Sequence, residues 1–379
     1  MVDTVKTVTE ISRFANSIRR WEAFWALKDI GRPLWMLPTT PVLTSLLVRP
    51  VPLIDLLLKK EVQLEGQIAL LDWRKKIGIR DDFIPHLRPQ VGVTMFPSAF
   101  GCEVQFFEHT MPWAHPLIKE TDPPEKVFDL PKPSVRAGQL GQMLEFTEYF
   151  VKKTMGRLPI AVSDVQGPLD TAYMVWEPSA FMLAMYDRPK AVHHLMRLAT
   201  DLAIDYVKEQ RRLSPRFVPC HYPPLWLLDG KGIAVSDDGM AVISADLYQE
   251  FCLPYMNEIS DAFGGLFLHS CGGFAHQFDN IGQIDNLRGI NFGVTETPFE
   301  AVWERFNGKT AIVPHLGLNN PPQFETSRHF LEHVLAKKTH NRGLCIIVTP
   351  TERDMEAIGG VPGLGRFMED VRETILDHG

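Results

Sequence analysis

The chain has 379 residues and a net charge of −7, with a pI near 6.0. This acidic balance excludes a general nucleic-acid binder, which needs a basic stripe, and leaves a small molecule or a protein as the partner. Five cysteines scattered along the chain do not form a disulfide framework, and neither the first residues nor the proline-broken apolar region 33–58 has the form of a targeting or membrane segment. We therefore expect a cytoplasmic protein that binds no nucleic acid and no membrane.

Two helical segments are predicted in the first eighty residues. Apolar residues recur at helical spacing over 10–28, and Gly31 and Pro33 end that run. A second helical run covers roughly 53–75 and ends before Gly78. Residues 1–80 are therefore predicted to be an N-terminal helical extension of the same domain.

From residue 81 onwards, short apolar runs alternate with amphipathic helices, which is typical of parallel strands joined by crossovers. Helices are predicted at 171–213, 244–263, 298–307 and 323–340, and strands at 32–38, 90–101, 158–168, 232–239, 265–273, 287–296, 310–317 and 344–352. Eight strands favour a closed (β/α)8 TIM barrel over 81–379, and the missing Gly-x-Gly-x-x-Gly motif weakens an open dinucleotide-binding sheet.

The strongest site motif is "HSC" at the end of the strand in "GLFLHSCGG", where His269 and Cys271 are two residues apart. In extended chain both side chains point to one side, and the glycines that follow allow a sharp turn. An imidazole and a thiolate suit zinc. The alternative is a satisfied histidine and a buried thiol.

A third metal ligand has two candidates. Cys345 has a suitable side chain but is expected at the start of the last strand, at the far end of the barrel. Glu352 follows that strand and is expected at the mouth, so we favour it narrowly. His315 and Glu296, at the ends of two other strands, are further candidates for ligands or for substrate contacts.

Other polar residues at strand ends are candidates for proton transfer and substrate binding. Asp237 and Asp238 in "VSDDG" suit a proton donor or a substrate anchor, although such pairs also cap turns. Asp164 and Gln166 in "SDVQGP" are expected to point into the barrel mouth. Tyr173, on the helix that follows, is a candidate substrate contact, although aromatic residues at that spacing more often belong to the core.

Several segments together resemble the uroporphyrinogen decarboxylase superfamily, which also contains zinc-dependent corrinoid methyltransferases. The matching pieces run from about Val165 to Glu352 and include "QGPLD", "YDRP", "SDDG", "LPY" and "HSCG". The resemblance implies a single barrel. The arginine-rich segment with which the decarboxylases bind substrate carboxylates is "LWMLPTTP" here, and their Phe-Ser-Asp strand end is "MFPSAFG".

These departures point to the methyltransferase branch, whose first two zinc ligands match His269 and Cys271. The resemblance implies Zn²⁺ and a corrinoid carried by a partner protein, with methyl transfer to or from a small methyl ether, amine or thiol. The spacing of the branch places its later ligand near Glu352, and its residue type points to Cys345. A decarboxylase of an altered tetrapyrrole and a non-catalytic metal- or corrinoid-binding protein are the alternatives.

Overall fold

Parallel strands surround the centre of the molecule. The computed structural model describes residues 14–38, 51–108, 110–317 and 323–379. The strands within these residues are β1 Leu34–Met36, β2 Glu103–Gln105, β3 Trp113–His115, β4 Ile160–Ala161, β5 Phe217–Val218, β6 Ile233–Ser236, β7 Leu266–Ser270, β8 Leu287–Gly293, β9 Ala311–His315 and β10 Cys345–Ile347. A six-stranded parallel sheet has the order β1-β10-β9-β8-β7-β6, β4 pairs with β5 in parallel, and β2 and β3 form an antiparallel hairpin.

Single backbone hydrogen bonds join the two parallel sheets into a closed ring. The Ala234 amide of β6 donates to the Pro219 carbonyl just after β5, at 2.9 Å. On the other side of β4, the Leu87 amide donates to the Pro159 carbonyl at 2.9 Å, and the Asp82 amide donates to the Trp35 carbonyl of β1 at 3.0 Å. The predicted (β/α)8 barrel is confirmed, with segment 82–87 in the ring between β1 and β4.

The ring departs from eight regular strands at β5, which the sequence analysis did not predict. At the bottom of the barrel β5 separates β4 from β6. Nearer the carboxyl ends of the strands, the segment that follows β4 pairs with β6 directly. Gln166 bridges to Ser236, and the Ser236 amide donates to the Val165 carbonyl at 2.9 Å. The pair 217–218 is too short, and too close to prolines, to show a strand pattern in the sequence.

The predicted strand 90–101 is wrong. Residues 95–99 form a short helix, and the barrel position is taken by 82–87. An apolar run of this length does not distinguish a strand from a buried helical turn. Gly92, with φ of +93°, supplies a backbone turn that an L side chain rarely adopts.

Helices surround the ring. In chain order they are α1 Ala15–Trp25, α2 Leu53–Leu58, α3 Lys60–Lys76, α4 Met95–Ala99, α5 Gly138–Thr154, α6 Pro168–Val175, α7 Pro178–Asp187, α8 Pro189–Leu213, α9 Ala245–Phe251, α10 Leu253–Phe263, α11 Phe278–Ile281, α12 Phe299–Phe306, α13 Ser327–Lys337, α14 Glu352–Ala357 and α15 Leu364–Asp377. Short 3₁₀ turns add Pro124–Asp129, Asp238–Ala241, Ala275–Gln277 and Val361–Gly363. None of the helices in the described part of the chain has the length and apolar character needed to cross a bilayer.

The carboxylate of Asp82 joins the N-terminal segment to the barrel. Asp82 accepts hydrogen bonds from Arg32 at 2.7 Å and from the Trp35 amide at 3.1 Å. Strand β1 lies within the segment 1–80, so the division between an extension over 1–80 and a barrel over 81–379 stays a prediction. Parts of the predicted helix 10–28 and of the apolar region 33–58 lie outside the described residues.

Candidate metal centre

The carboxyl ends of neighbouring strands bring three potential metal ligands together. One ligand atom from each of Asp238, His269 and Cys271 lies within 4.8 Å of the other two. His269 belongs to β7, Cys271 follows that strand, and Asp238 follows the adjacent strand β6. His269 is buried, and the other two are half-buried. The mouth of the barrel therefore presents an imidazole, a thiol and a carboxylate at one point.

Backbone hydrogen bonds fix the turns that carry these side chains. The Asp237 amide donates to the His269 carbonyl at 2.9 Å, which continues the β6–β7 ladder to the end of both strands. The Cys271 amide then donates to Asp238 Oδ1 at 2.5 Å. At Gly272 a Cβ atom would come within 2.3 Å of the Ala241 Cβ, so only glycine fits the turn after Cys271. The motif "HSCG" is thereby packed against the turn after β6.

A buried aspartate holds the Asp238 turn in place. Asp170, in the first turn of α6, accepts hydrogen bonds from the backbone amides of Asp238 at 2.8 Å and Gly239 at 2.7 Å. Asp170 is fully buried. Burial raises the pKa of Asp170, and the nearby carboxylates of Asp237 and Asp238 raise it further. The site therefore concentrates acidic groups behind the ligand atoms.

Asn291 on strand β8 orients the imidazole of His269. Its amide nitrogen donates to the Val313 carbonyl at 2.6 Å, which leaves its Oδ1 to face His269 Nδ1 at 2.6 Å. His269 Nδ1 therefore carries the proton, and its Nε2 keeps a lone pair that accepts from the Cys271 thiol, with 3.1 Å between Nε2 and Sγ. An imidazole presented in this way is ready to bind a metal through Nε2.

The electrostatics of the centre suit a bound cation. Burial raises the pKa of the Cys271 thiol, and the neighbouring carboxylates, first Asp238 and then Glu296, raise it further. Burial also raises the pKa of Asp237 to about 7, while a hydrogen bond at 2.8 Å from the Tyr248 hydroxyl opposes that rise. A divalent ion would offset this excess of acidic groups and favour the thiolate. The donor set of one nitrogen, one sulfur and one oxygen fits zinc.

The structure places neither Glu352 nor Cys345 beside His269. Cys345 begins β10, pairs with Leu34 and is completely buried. Burial raises the pKa of its thiol, and the carboxylates of Asp82 and Asp81 raise it further. Glu352 is an exposed residue in the first turn of α14. Within the described residues the third potential ligand of this group is Asp238, which follows β6, the direct neighbour of β7, whereas β10 is three strands away.

Two other predicted residues face the site from the β4 side. Asp164 accepts a hydrogen bond from Gln166 Nε2 at 2.6 Å and lies 3.4 Å from His221 Nε2. His221 is fully buried, and its Nε2 lies 2.9 Å from the Ser236 hydroxyl. Burial lowers the pKa of His221 to about 4, against the attraction of Asp164, so the imidazole is neutral.

The remaining predicted contacts lie around the three ligand residues. His315 ends β9, is buried, and its Nδ1 lies 3.2 Å from the Asn291 amide nitrogen. Burial lowers the pKa of His315 to about 3. The negative charge of the Glu296 carboxylate helps to raise the pKa of the Cys271 thiol. Tyr173 on α6 is half-buried, and burial together with the charge of Asp170 raises its pKa.

Sequence reasoning missed three residues of the site. Asn291 is a single polar residue inside the apolar strand "GINFG", a pattern that could have identified it. Asp170 follows Gly-Pro at the start of a helix, where an acid is also a common helix-start residue. Tyr222 lies in the loop "CHYPP", and its ring centroid is 4.8 Å from that of His269. Only the fold shows that this loop passes beside the barrel mouth.

These features define a (β/α)8 barrel with a candidate metal centre at the carboxyl ends of β6 and β7. The family model "Uroporphyrinogen decarboxylase (URO-D)" matches residues 88–215. A uroporphyrinogen decarboxylase from Hydrogenovibrio crunogenus is 27% identical over 175 residues, which cover 45% of this chain and 44% of that protein, so less than half of the relative is matched. The predicted resemblance to this superfamily is confirmed.

A solved structure shares the fold over nearly the whole chain. It is described as a methyltransferase from Methanosarcina mazei, and it superposes with a TM-score of 0.66 at 15% sequence identity. The match covers 92% of this chain and 98% of that one. At this level of identity the likeness establishes a common architecture.

Proposed function

We propose that the protein is a zinc-dependent methyltransferase that moves a methyl group between a small molecule and a corrinoid carried by a separate partner protein. The observation that supports it best is the group formed by Asp238, His269 and Cys271 at the mouth of the barrel. The solved methyltransferase with the same architecture agrees with this class of reaction. The small molecule is a methyl ether, an amine or a thiol, and the protein acts in the cytoplasm.

The three residues would hold the ion through His269 Nε2, Cys271 Sγ and a carboxylate oxygen of Asp238. When bound, zinc supplies a Lewis acid for the heteroatom that gives or receives the methyl group. Asn291 keeps the proton of His269 on Nδ1, away from that ion. Because three protein ligands leave a fourth position open, the set is suited to catalysis rather than to a closed structural site.

The acidic groups behind the ligands would supply the proton that the reaction consumes. A heteroatom that loses a methyl group keeps the bonding electron pair and takes up a proton. Asp237, which is fully buried and accepts a hydrogen bond from the Tyr248 hydroxyl at 2.8 Å, would act as the general acid that supplies this proton. Asp164 lies two residues before Gln166, which bridges to the end of β6, and these two hydrogen-bonded side chains would orient the substrate.

An anaerobic methyl-transfer assay tests the proposal. Cob(I)alamin replaces the partner-bound corrinoid, and methyl ethers, methylamines and methyl thioethers serve as donors. We expect the spectrum of methylcobalamin to appear with the zinc-loaded protein and to be lost with Cys271→Ser. No transfer from any donor, and no demethylation of methylcobalamin by thiols, would contradict the proposal.

A decarboxylation assay on the same preparation tests the main alternative. We expect uroporphyrinogen not to be turned over, because "LWMLPTTP" offers no arginine for its carboxylates. Coproporphyrinogen formed at a rate proportional to the protein concentration would support the decarboxylase instead. Binding of a corrinoid without either reaction would support a carrier.

A further inference from the structure

Arg88 is a half-buried cation beside the candidate metal centre that forms no ion pair with any residue in the described ranges. Its Nη1 donates to the His221 carbonyl, and its Nη2 donates to Gln90 Oε1. Both acceptors are neutral. A guanidinium has five N–H donors, so most of this fork has no partner within the described residues.

Two other shielded arginines, one on α3 and one just before β1, are paired with carboxylates, whereas the half-buried Arg157 and Arg288 form no ion pair with a described residue. Arg74, which is buried, lies 2.5 Å from Asp81, and Arg32 lies 2.7 Å from Asp82. The negative charge that acts most strongly on Arg88 is Asp164, which already accepts from Gln166 Nε2. Burial lowers the pKa of the Arg88 guanidinium in spite of that attraction. A shielded cation without its own counterion is costly unless an anion arrives to pair with it.

The backbone of Arg88 is held rigidly, which suits a recognition residue. Gln67 on α3 donates to the Arg88 carbonyl at 2.8 Å and accepts from the Arg88 amide at 2.8 Å. Gln63, one turn earlier, makes the same pair of bonds to Gln90, at 2.7 and 3.0 Å. Helix α3 therefore fixes both ends of segment 88–90 as a neighbouring strand would.

The segment that Arg88 contacts leads directly to the metal centre. The residue after His221 is Tyr222, whose ring centroid lies 4.8 Å from that of His269 and 6.3 Å from that of His315. The positive charge of Arg88 also acts on the Tyr222 hydroxyl. One wall of the barrel mouth is thus formed, in this spatial order, by Arg88, Tyr222 and His269.

We propose that Arg88 binds an anionic group of the small-molecule substrate, a carboxylate or another oxyanion, while the methylated end of that molecule faces His269 and Cys271. This inference rests on the proposed function, since it describes the substrate of the same site. A guanidinium fork matches the two oxygens of such a group. The substrate class is then a methylated small acid.

Ligand-observed NMR titrations of the full-length, zinc-loaded protein test this inference. The probes are two matched pairs, methoxyacetate with methoxyacetamide and 4-methoxybenzoate with 4-methoxybenzamide. We expect at least one acid to bind about 10- to 100-fold more tightly than its amide, as charge-assisted hydrogen bonds predict. Equal binding within both pairs, or no binding of either acid, would overturn the inference. Methanesulfonate and inorganic phosphate then identify which oxyanion is preferred.

Variants assign the preference to Arg88. Arg88→Met should abolish it, whereas Arg88→Lys should retain it with about tenfold weaker binding, because a lysine keeps the charge and loses the fork. The matched control is Arg305→Met, which removes a surface arginine paired with Asp279 and should leave the preference unchanged. Circular dichroism checks folding, and if Arg88→Met does not fold, the comparison of wild type with Arg88→Lys decides. A preference that survives Arg88→Met, or affinity unaltered in Arg88→Lys, would overturn the inference.

Failure of this inference can be told apart from failure of the proposed function. If the protein transfers methyl groups but shows no Arg88-dependent preference for acids, the inference is wrong and the proposed function stands. An Arg88-dependent preference in a protein that transfers no methyl group would instead remove the proposed function and leave the anion site.

Discussion

Asn291 shows how a single side chain determines what His269 can do. Its amide nitrogen is engaged by the Val313 carbonyl, so its oxygen must face His269 Nδ1. The tautomer of the histidine is thereby fixed by strand β9, acting through Asn291. Metal-binding histidines commonly depend on such partners for their affinity.

We expect Asn291→Leu to weaken zinc binding by about 10- to 100-fold while the barrel remains folded, because the imidazole loses its acceptor and its fixed orientation. Zinc affinity is measured by competition with a chromogenic chelator. Asn291→Asp, which still accepts from Nδ1, should retain most of the affinity. Equal affinity in wild type and Asn291→Leu would show that Asn291 does not position the ligand.

Sequence reasoning at the residue scale was strongest where two ligand types share one strand. The pair His269 and Cys271 could be selected from its spacing together with its place at the end of a predicted strand, because alternation along a strand is independent of the rest of the fold. Asp238 was selected as an acid but not as a ligand. Its place beside Cys271 depends on β6 and β7 being neighbours and on the Asp170 contacts, which only the three-dimensional structure provides.

Helix α3 illustrates how an element can replace a missing strand. In the described part of the chain segment 88–90 belongs to no strand ladder, yet the backbone amides and carbonyls of Arg88 and Gln90 are satisfied by Gln63 and Gln67. The apolar run 90–101 was predicted as a strand because neighbouring apolar residues suit either a buried strand or a buried turn. Gln63 and Gln67 instead satisfy the backbone of Arg88 and Gln90 from helix α3, and this role cannot be inferred from local pattern.

We expect Gln63→Met to lower the free energy of unfolding by about 2–3 kcal/mol, because it leaves the Gln90 amide and carbonyl and the Leu56 carbonyl without their partner in a buried position. Urea titration followed by circular dichroism measures the change. Glu61→Ala, at an exposed position of the same helix, is the control and should stay within about 0.5 kcal/mol of wild type. A loss in Gln63→Met no larger than the control's would contradict this role.

Buried histidines make the free energy of unfolding of the whole molecule depend on pH. Burial lowers the pKa of His86 from 6.5 to about 4. Between these two values the unfolded chain binds a proton that the folded chain does not, so the free energy of unfolding falls as the pH falls from 6.5 towards 4. His221 adds to the same window, because burial also lowers its pKa to about 4.

We expect the His86 term to cost about 3 kcal/mol of stability across that window, since a tenfold difference in proton affinity corresponds to about 1.36 kcal/mol. His86→Gln removes the titrating group and should flatten the dependence of the unfolding free energy on pH. The control is His378→Gln, at an exposed position near the end of α15. Identical pH dependence in wild type and His86→Gln, measured by urea titration from pH 7 to pH 4, would exclude this contribution.

At the scale of the whole chain, the alternation of apolar runs and helices was enough to predict the closed barrel. It could not predict the short strand β5, because two residues beside prolines show no periodic hydrophobic pattern. It also could not predict the path of the loop that contains Tyr222. That loop and the turns after β6 and β7 come together only once the ring closes. The candidate centre is therefore a property of the complete barrel.

Zinc content compared between Asp238→Asn and Glu352→Gln tests the central claim most directly. Both changes remove one carboxylate charge, but only Asp238 lies within 4.8 Å of His269 and Cys271 at its ligand atom. We expect about one zinc per chain in the wild type and in Glu352→Gln, and a loss of affinity of at least about tenfold in Asp238→Asn. Zinc retained at wild-type affinity in Asp238→Asn and lost in Glu352→Gln would contradict the account.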